Sequence, residues 1–181
     1  MEQQRRPVEQ RQPSDVEQPD SLRPPAPSLA PGLTARVELT VTDADTAQAI
    51  GSGDVPVLGT PRLLALAEAA TVAATATQLP AGMTTVGLRV ELEHRLATPV
   101  GRAVTAQARL AKVDGRRLLF EVTVTEAPSA GAGGRGGAVA GTGGPATATQ
   151  QPPTPVTVAE GRVERALVDR RRFLERALRP S

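Results

Sequence analysis

Apolar and polar residues alternate in several short runs along this chain, and only one long stretch breaks the alternation. In Leu33–Thr42, Val37, Leu39 and Val41 alternate with polar neighbours, the pattern of a half-buried strand. Thr42 and Asp43 then read as a helix start, and the glycines at 51 and 53 end that short element. Thr60-Pro61 predicts a helix N-terminus, with threonine as the N-cap and proline at the first helical position. That helix runs through Leu63, Leu64, Leu66, Ala67 and Ala70 to about Gln78, where Pro80 and Gly82 stop it. Its alanine-rich surface suits a helix held close to a sheet. Val86, Leu88, Val90 and Leu92 alternate in the next strand. Val104–Val113 and Leu118–Thr125 follow, joined at Asp114-Gly115, and Val156–Val168 is the last long strand. Asp169 is placed to cap a terminal helix holding Phe173 and Leu174. One long helix against a curved antiparallel sheet is an α+β arrangement, and its open edge invites pairing with a second copy.

The segments between these elements divide the chain of 181 residues. Residues 1–32 hold seven prolines, several glutamines and mixed charges, a composition that cannot bury enough surface to order itself. Residues 127–155 hold eight glycines and five prolines and read as a disordered insertion. The ordered pieces are 33–126 and 156–181, which together make one domain. The second piece is too short to fold alone and is expected to supply the last strand and a C-terminal helix.

Composition removes several classes of function. With 21 basic and 19 acidic residues the net charge is +2, so no strong field favours nucleic acid or a membrane. Phe120 and Phe173 are the only aromatics, so base-stacking platforms are missing. There is no cysteine and one histidine, which excludes thiolate chemistry and argues against a zinc site. No run of 18 apolar residues and no secretory signal is evident, and a cytoplasmic location is expected.

The candidate chemistry lies on Thr60, Glu68 and His94. Glu68 is the only charged residue between Arg62 and Arg89, and His94 is the only imidazole. A lone carboxylate on an apolar helix must be paired or neutralised, and no basic residue stands one turn away on the same helix. His94 continues the alternation of Val90 and Leu92, so it either points toward the packed face or escapes the pattern at the strand end. Gly87 interrupts its strand, which marks a bulge or a close approach by a ligand or by the helix. The arginines at 162, 165 and 170–172 form a basic C-terminal piece, read either as solvated surface or as a contact for coenzyme A phosphates.

The segments VPVLGTPRLLALAEAA, TTVGLRVELEHRLATPVG and KVDGRRLLFEV together resemble hotdog-fold thioesterases of the fluoroacetyl-CoA thioesterase type. The likeness covers roughly 33–126 and, more loosely, 156–173. It implies a hotdog fold, a homodimer with sites at the subunit interface, and hydrolysis of an acyl-CoA with no added cofactor. It further implies a catalytic group of Thr60, Glu68 and His94, with Gly87 and Gly59 contacting the substrate. The chain departs from the family in having no aromatic side chain between 33 and 119, and Ala69 stands where a bulky aromatic is expected. The fluoroacetyl substrate therefore does not follow. A non-catalytic hotdog module that binds acyl-CoA or simply dimerises is the alternative, and the Asp/His signature of a hotdog dehydratase is not evident.

Overall fold

A computed structural model describes residues 29–127 and 154–179. Most of the tail at 1–32 and of the insertion at 127–155 lies outside the described residues. The order of elements is β1 (Thr34–Thr40), a 3-10 turn (Asp43–Asp45), α1 (Thr60–Thr75), β2 (Met83–His94), β3 (Ala103–Asp114), β4 (Arg117–Glu126), β5 (Val156–Asp169) and α2 (Arg170–Ala177). The strands form one antiparallel sheet in the order β1-β3-β4-β5-β2. β5 is thus inserted between β4 and β2, so the C-terminal piece completes the same domain. The fold begins slightly before the expected boundary, because the Gly32 amide donates to Leu110 O at 2.8 Å and Leu29 packs against the core.

α1 crosses one face of the sheet, mainly over β1 and β3. Its buried residues are Leu63, Leu66, Ala67, Ala70, Thr71, Ala74 and Thr75, a stripe at helical spacing. Five of these seven are alanine or threonine, and such small side chains let the helix axis approach the sheet. Against them lie Val104, Ala106, Leu110, Phe120, Val122, Val124 and Val163, all fully or almost fully buried. The helix ends at Thr75, a turn earlier than the sequence suggests. Thr71 and Thr75 donate their hydroxyls back to the carbonyls of Glu68 and Val72 and so are satisfied without leaving the core.

The alternation read across Val86–Leu92 does not hold. Gly87 pairs with Arg165 and Arg89 with Glu164, so Leu88 is an extra residue in β2. This bulge reverses the facing of the strand. Thr85 and Gly87 face the helix before it, and Val90, Leu92 and His94 face the helix after it. Leu88 is left 51% exposed in the middle of a strand whose other edge has no partner strand among the described residues.

At the turn between β3 and β4, Gly115 adopts φ +56°, where only glycine is free of strain. Asp169 caps α2, its carboxylate accepting from the Arg172 amide at 2.8 Å. Among the described residues no helix is long and apolar enough to cross a membrane.

Candidate active site

The first turn of α1 and the last residue of β2 meet. Thr60 Oγ1 lies 3.0 Å from His94 Nδ1. The expected role of Thr60 as N-cap is corrected by the structure. The N-cap is Gly59, Thr60 is the first helical residue, and its side chain makes no capping bond. At that position the hydroxyl is directed away from the helix amides and toward the strand that ends at His94. The other ring nitrogen, His94 Nε2, is buried with no hydrogen-bond partner among the described residues, as is the hydroxyl of Thr98. A cavity of about 210 Å³ opens beside the ring, lined by Val57, His94, Arg95, Leu96 and Ala97.

The segment before α1 holds this start in place. Asp45 accepts from both the amide and the hydroxyl of Thr42, at 2.8 and 2.6 Å, and from Arg62 Nε at 2.6 Å. Its backbone carbonyl accepts from the Gly59 amide at 2.9 Å. Thr60 is therefore flanked by two residues tied to Asp45. The Thr42 hydroxyl holds the Asp45 carboxyl below the usual carboxylate range against the opposing effect of burial, and Arg62 adds to the lowering.

These bonds change the reading of Gly59. Its amide is already engaged with Asp45, and a Cβ there would lie 2.5 Å from Ile50 Cδ1 and 3.1 Å from Ala47 Cα. The glycine is required by packing against Ala47, and its N–H is not free to meet a substrate.

Glu68 stands elsewhere. It lies two turns along α1 from Thr60, about 12 Å by helical rise, and it makes no contact with His94 in the same chain. Its partner is Arg165 of β5, whose Nη1 donates to Glu68 Oε1 at 3.1 Å. Arg165 was not singled out as a partner of Glu68 by the sequence, and its reading as part of a solvated basic surface is overturned. Its side chain is 7% exposed, against 34% for Glu68. It also donates from Nε to Thr85 Oγ1 and from Nη2 to Thr85 O, both at 3.0 Å. Burial pushes the guanidinium below its ordinary range, and the charge of Glu68 partly opposes this.

A signal for this pair exists in the sequence. Val163, Arg165 and Leu167 alternate inward on β5, and an arginine in such a row demands an acid. Glu68 is the one acid on the apolar helix opposite. Gly87 completes the group, because a Cβ there would fall 2.6 Å from Glu68 Oε1. The bulge at Leu88 is what turns Gly87, instead of a leucine, toward the carboxylate.

One chain thus presents two separate clusters, each a candidate half-site. Thr60 and His94 form one, and Glu68, Arg165, Thr85 and Gly87 form the other, separated along β2 by about 20 Å at the rise of a strand, Leu88 being the extra residue of the bulge. A concavity of about 660 Å³ lies over Gly161 and is lined by Glu91, Glu93, Glu121, Glu160 and Arg162 among others. It is open, highly charged, and contains none of these site residues.

No curated protein matches the chain by sequence. Among solved structures it is similar to a mutant of the fluoroacetyl-CoA thioesterase in complex with acetyl-CoA, with 21% identity over 82% of this chain and 96% of that one and a TM-score of 0.64. A Thermus thermophilus thioesterase superfamily member shares 22% identity over 87% and 95% of the two chains, at a TM-score of 0.63. A hot-dog-like protein of Thermanaerovibrio acidaminovorans shares 20% identity over 81% and 89%, at 0.61. Identities of this size establish the shared hotdog fold. The profile of the fluoroacetyl-CoA-specific thioesterases matches residues 41–135, more than half of the sequence and a span that takes in Thr60, Glu68, Gly87 and His94. The chain belongs to the fluoroacetyl-CoA-specific thioesterase family.

Proposed function

We propose that this protein hydrolyses a small or short-chain acyl-CoA thioester at a site made by two copies of the chain. Thioester hydrolysis is the activity of its family, and one of the similar structures holds acetyl-CoA. The observation that carries the mechanism is the 3.0 Å contact between Thr60 Oγ1 and His94 Nδ1. With Nδ1 accepting, the imidazole takes the proton as the hydroxyl, or a water it orients, attacks the thioester carbon. At the helix start the Gly59 amide is engaged and Pro61 has none, so the Thr60 amide is the donor for the oxyanion. Collapse of the tetrahedral adduct releases the coenzyme A thiolate, which takes the proton from the imidazolium. If Thr60 is the nucleophile, a water activated by the same ring then cleaves its acyl ester.

In this tautomer Nε2 carries a proton and needs an acceptor. Glu68 Oε1 is taken by Arg165, which leaves Oε2 for that role, yet Glu68 is out of reach within one chain. An antiparallel pairing of two β2 edges resolves the mismatch. A two-fold axis at Glu91, with Leu88 again the extra residue, sets Gly87 opposite the partner's His94 and brings the two half-sites together. Two features support such a dimer. Among the described residues, β2 has a free edge along its twelve residues. The outer face of α1, with Leu64, Ala65, Ala69 and exposed Val72, carries only two charges, Glu68 and, in the first turn, Arg62, which is paired with Asp45.

The test is release of coenzyme A from a panel of short acyl-CoAs, followed with a thiol reagent, together with light scattering. A dimer that loses turnover on His94→Ala is expected. Full activity in that variant would reject the assignment.

A further inference from the structure

Among the described residues the C-terminal helix packs on almost nothing. α2 contacts chiefly the end of β5, from which it emerges, and every one of its residues is exposed. Phe173 and Leu174 are 42% and 46% exposed and Leu178, its C-cap, 76%. Together with Ala177 they fall at i, i+1, i+4 and i+5, one stripe of the helix, with Arg171, Arg172, Glu175 and Arg176 on the other side. Half of the chain's aromatic residues are thus displayed on a stripe that the described residues of one copy leave uncovered.

Its position indicates what covers it. The Arg170 amide donates to Gly82 O at 2.9 Å, so α2 starts at the residue preceding β2, beside the free edge. Just past the opposite end of that strand, in the segment after His94, Leu96 and Val100 are also exposed apolar residues. This segment is held firmly, through Leu58 N to Thr98 O at 2.9 Å and Gly101 N to Val41 O at 2.8 Å. Antiparallel pairing of β2 with a second copy brings the start of one strand beside the end of the other. In the register that joins the half-sites, the start of β2 and Gly82 run past the partner's His94, toward the segment that carries Leu96 and Val100. Charge agrees as well, since the loop packed on this segment carries exposed Asp43 and Asp54, facing a helix with four arginines and one glutamate.

We infer that α2 of each subunit docks through Phe173 and Leu174 on the Leu96–Val100 segment of its partner, closing the flank of the partner's Thr60–His94 site. The inference rests on the paired-edge dimer, and it adds a second contact, independent of the sheet.

The chain has no cysteine, which makes single-thiol pairs clean probes. Phe173→Cys and Leu96→Cys chains are co-expressed and oxidised, and a disulfide-linked species of doubled mass is expected from the mixture but from neither variant alone. Glu91→Cys, beside the two-fold axis, serves as the control and cross-links to itself if the edges pair. Cross-linking of the control without the mixed pair would overturn the inference and leave the dimer standing, α2 then being covered by another segment or partner. A monomer by light scattering with no cross-link in either experiment would remove both.

Discussion

Arg165 and Glu68, 97 positions apart in the chain, meet between β5 and α1 with the guanidinium buried and the carboxylate only half so. This asymmetry decides what each substitution does. Glu68→Gln keeps an oxygen that accepts from Nη1, and its cost in stability is expected to stay below about 1 kcal/mol. Glu68→Leu strands a buried cation, for which about 3 kcal/mol is expected. Urea midpoints of the two variants check this. Equal midpoints would mean that the ion pair contributes nothing to the fold. Turnover separates the roles further, because Glu68→Gln retains the bond to Arg165 but loses the carboxylate, and a fall of about tenfold or more in kcat is expected if that charge meets the imidazole.

Thr60 tests chemistry apart from capping. Because Gly59 is the N-cap and the Thr60 hydroxyl is turned to His94, Thr60→Val should leave stability within about 0.5 kcal/mol. The same change removes the group that attacks or orients water, and kcat is expected to fall about a hundredfold or more. Thr60→Ser should keep measurable turnover. A loss of about 1 kcal/mol in stability with unchanged kcat would instead mark an ordinary cap.

The main framework was legible in the sequence, because period-2 alternation in β1, β3, β4 and β5 and the Thr-Pro start of α1 are local signals. What was missed is non-local. The bulge at Leu88 depends on how β2 registers against β5, and the run Val86, Leu88, Val90, Leu92 hides it by remaining apolar on both sides. The partner of Glu68 lies on a strand beyond a long insertion, so no helical spacing could point to it. Thr60 was read as a cap because threonine before proline carries that statistical weight, and only the fold shows His94 within reach of its hydroxyl. The separation of Thr60–His94 from Glu68–Gly87 was likewise invisible, since sequence spacing does not say that α1 and β2 run antiparallel from a shared end.

Two glycines facing opposite constraints divide function from fold. An added Cβ at Gly87 meets the end of the flexible Glu68 side chain, which can move aside. Gly87→Ala is therefore expected to fold with a cost of about 1 kcal/mol and to lose about tenfold or more in kcat/KM by displacing the carboxylate. At Gly161 an added Cβ would lie 2.0 Å from Glu91 O and 2.9 Å from Leu92 Cα, which are backbone atoms of the neighbouring strand. Gly161→Ala must push β2 away from β5 and is expected to cost about 3 kcal/mol or prevent folding. Thermal unfolding beside kinetics distinguishes the two, and a well-folded, fully active Gly87→Ala protein would remove the proposed role of that half-site.

Asp45 gives a pH signature to the brace behind Thr60. Its folded carboxyl titrates below the unfolded value, chiefly through the Thr42 hydroxyl and with help from Arg62, so the ionised form is the one the fold favours. The stability it adds is complete above the unfolded pKa of about 4 and is lost as pH falls through the lower folded value. Asp45→Asn removes the charge that Arg62 and Thr42 bind, and a loss of about 1–2 kcal/mol is expected at pH 7. The gap between variant and wild type should persist to pH 5 and narrow below pH 4, as the native carboxyl protonates and comes to resemble the amide. Urea unfolding at pH 7, 5 and 3 measures this directly. A gap that stays constant to pH 3 would show that the hydrogen-bond geometry of the side chain, and not its charge, holds the start of α1. In that event kcat should also be insensitive to the ionisation of Asp45, since the carbonyl that ties Gly59 is unchanged by the substitution.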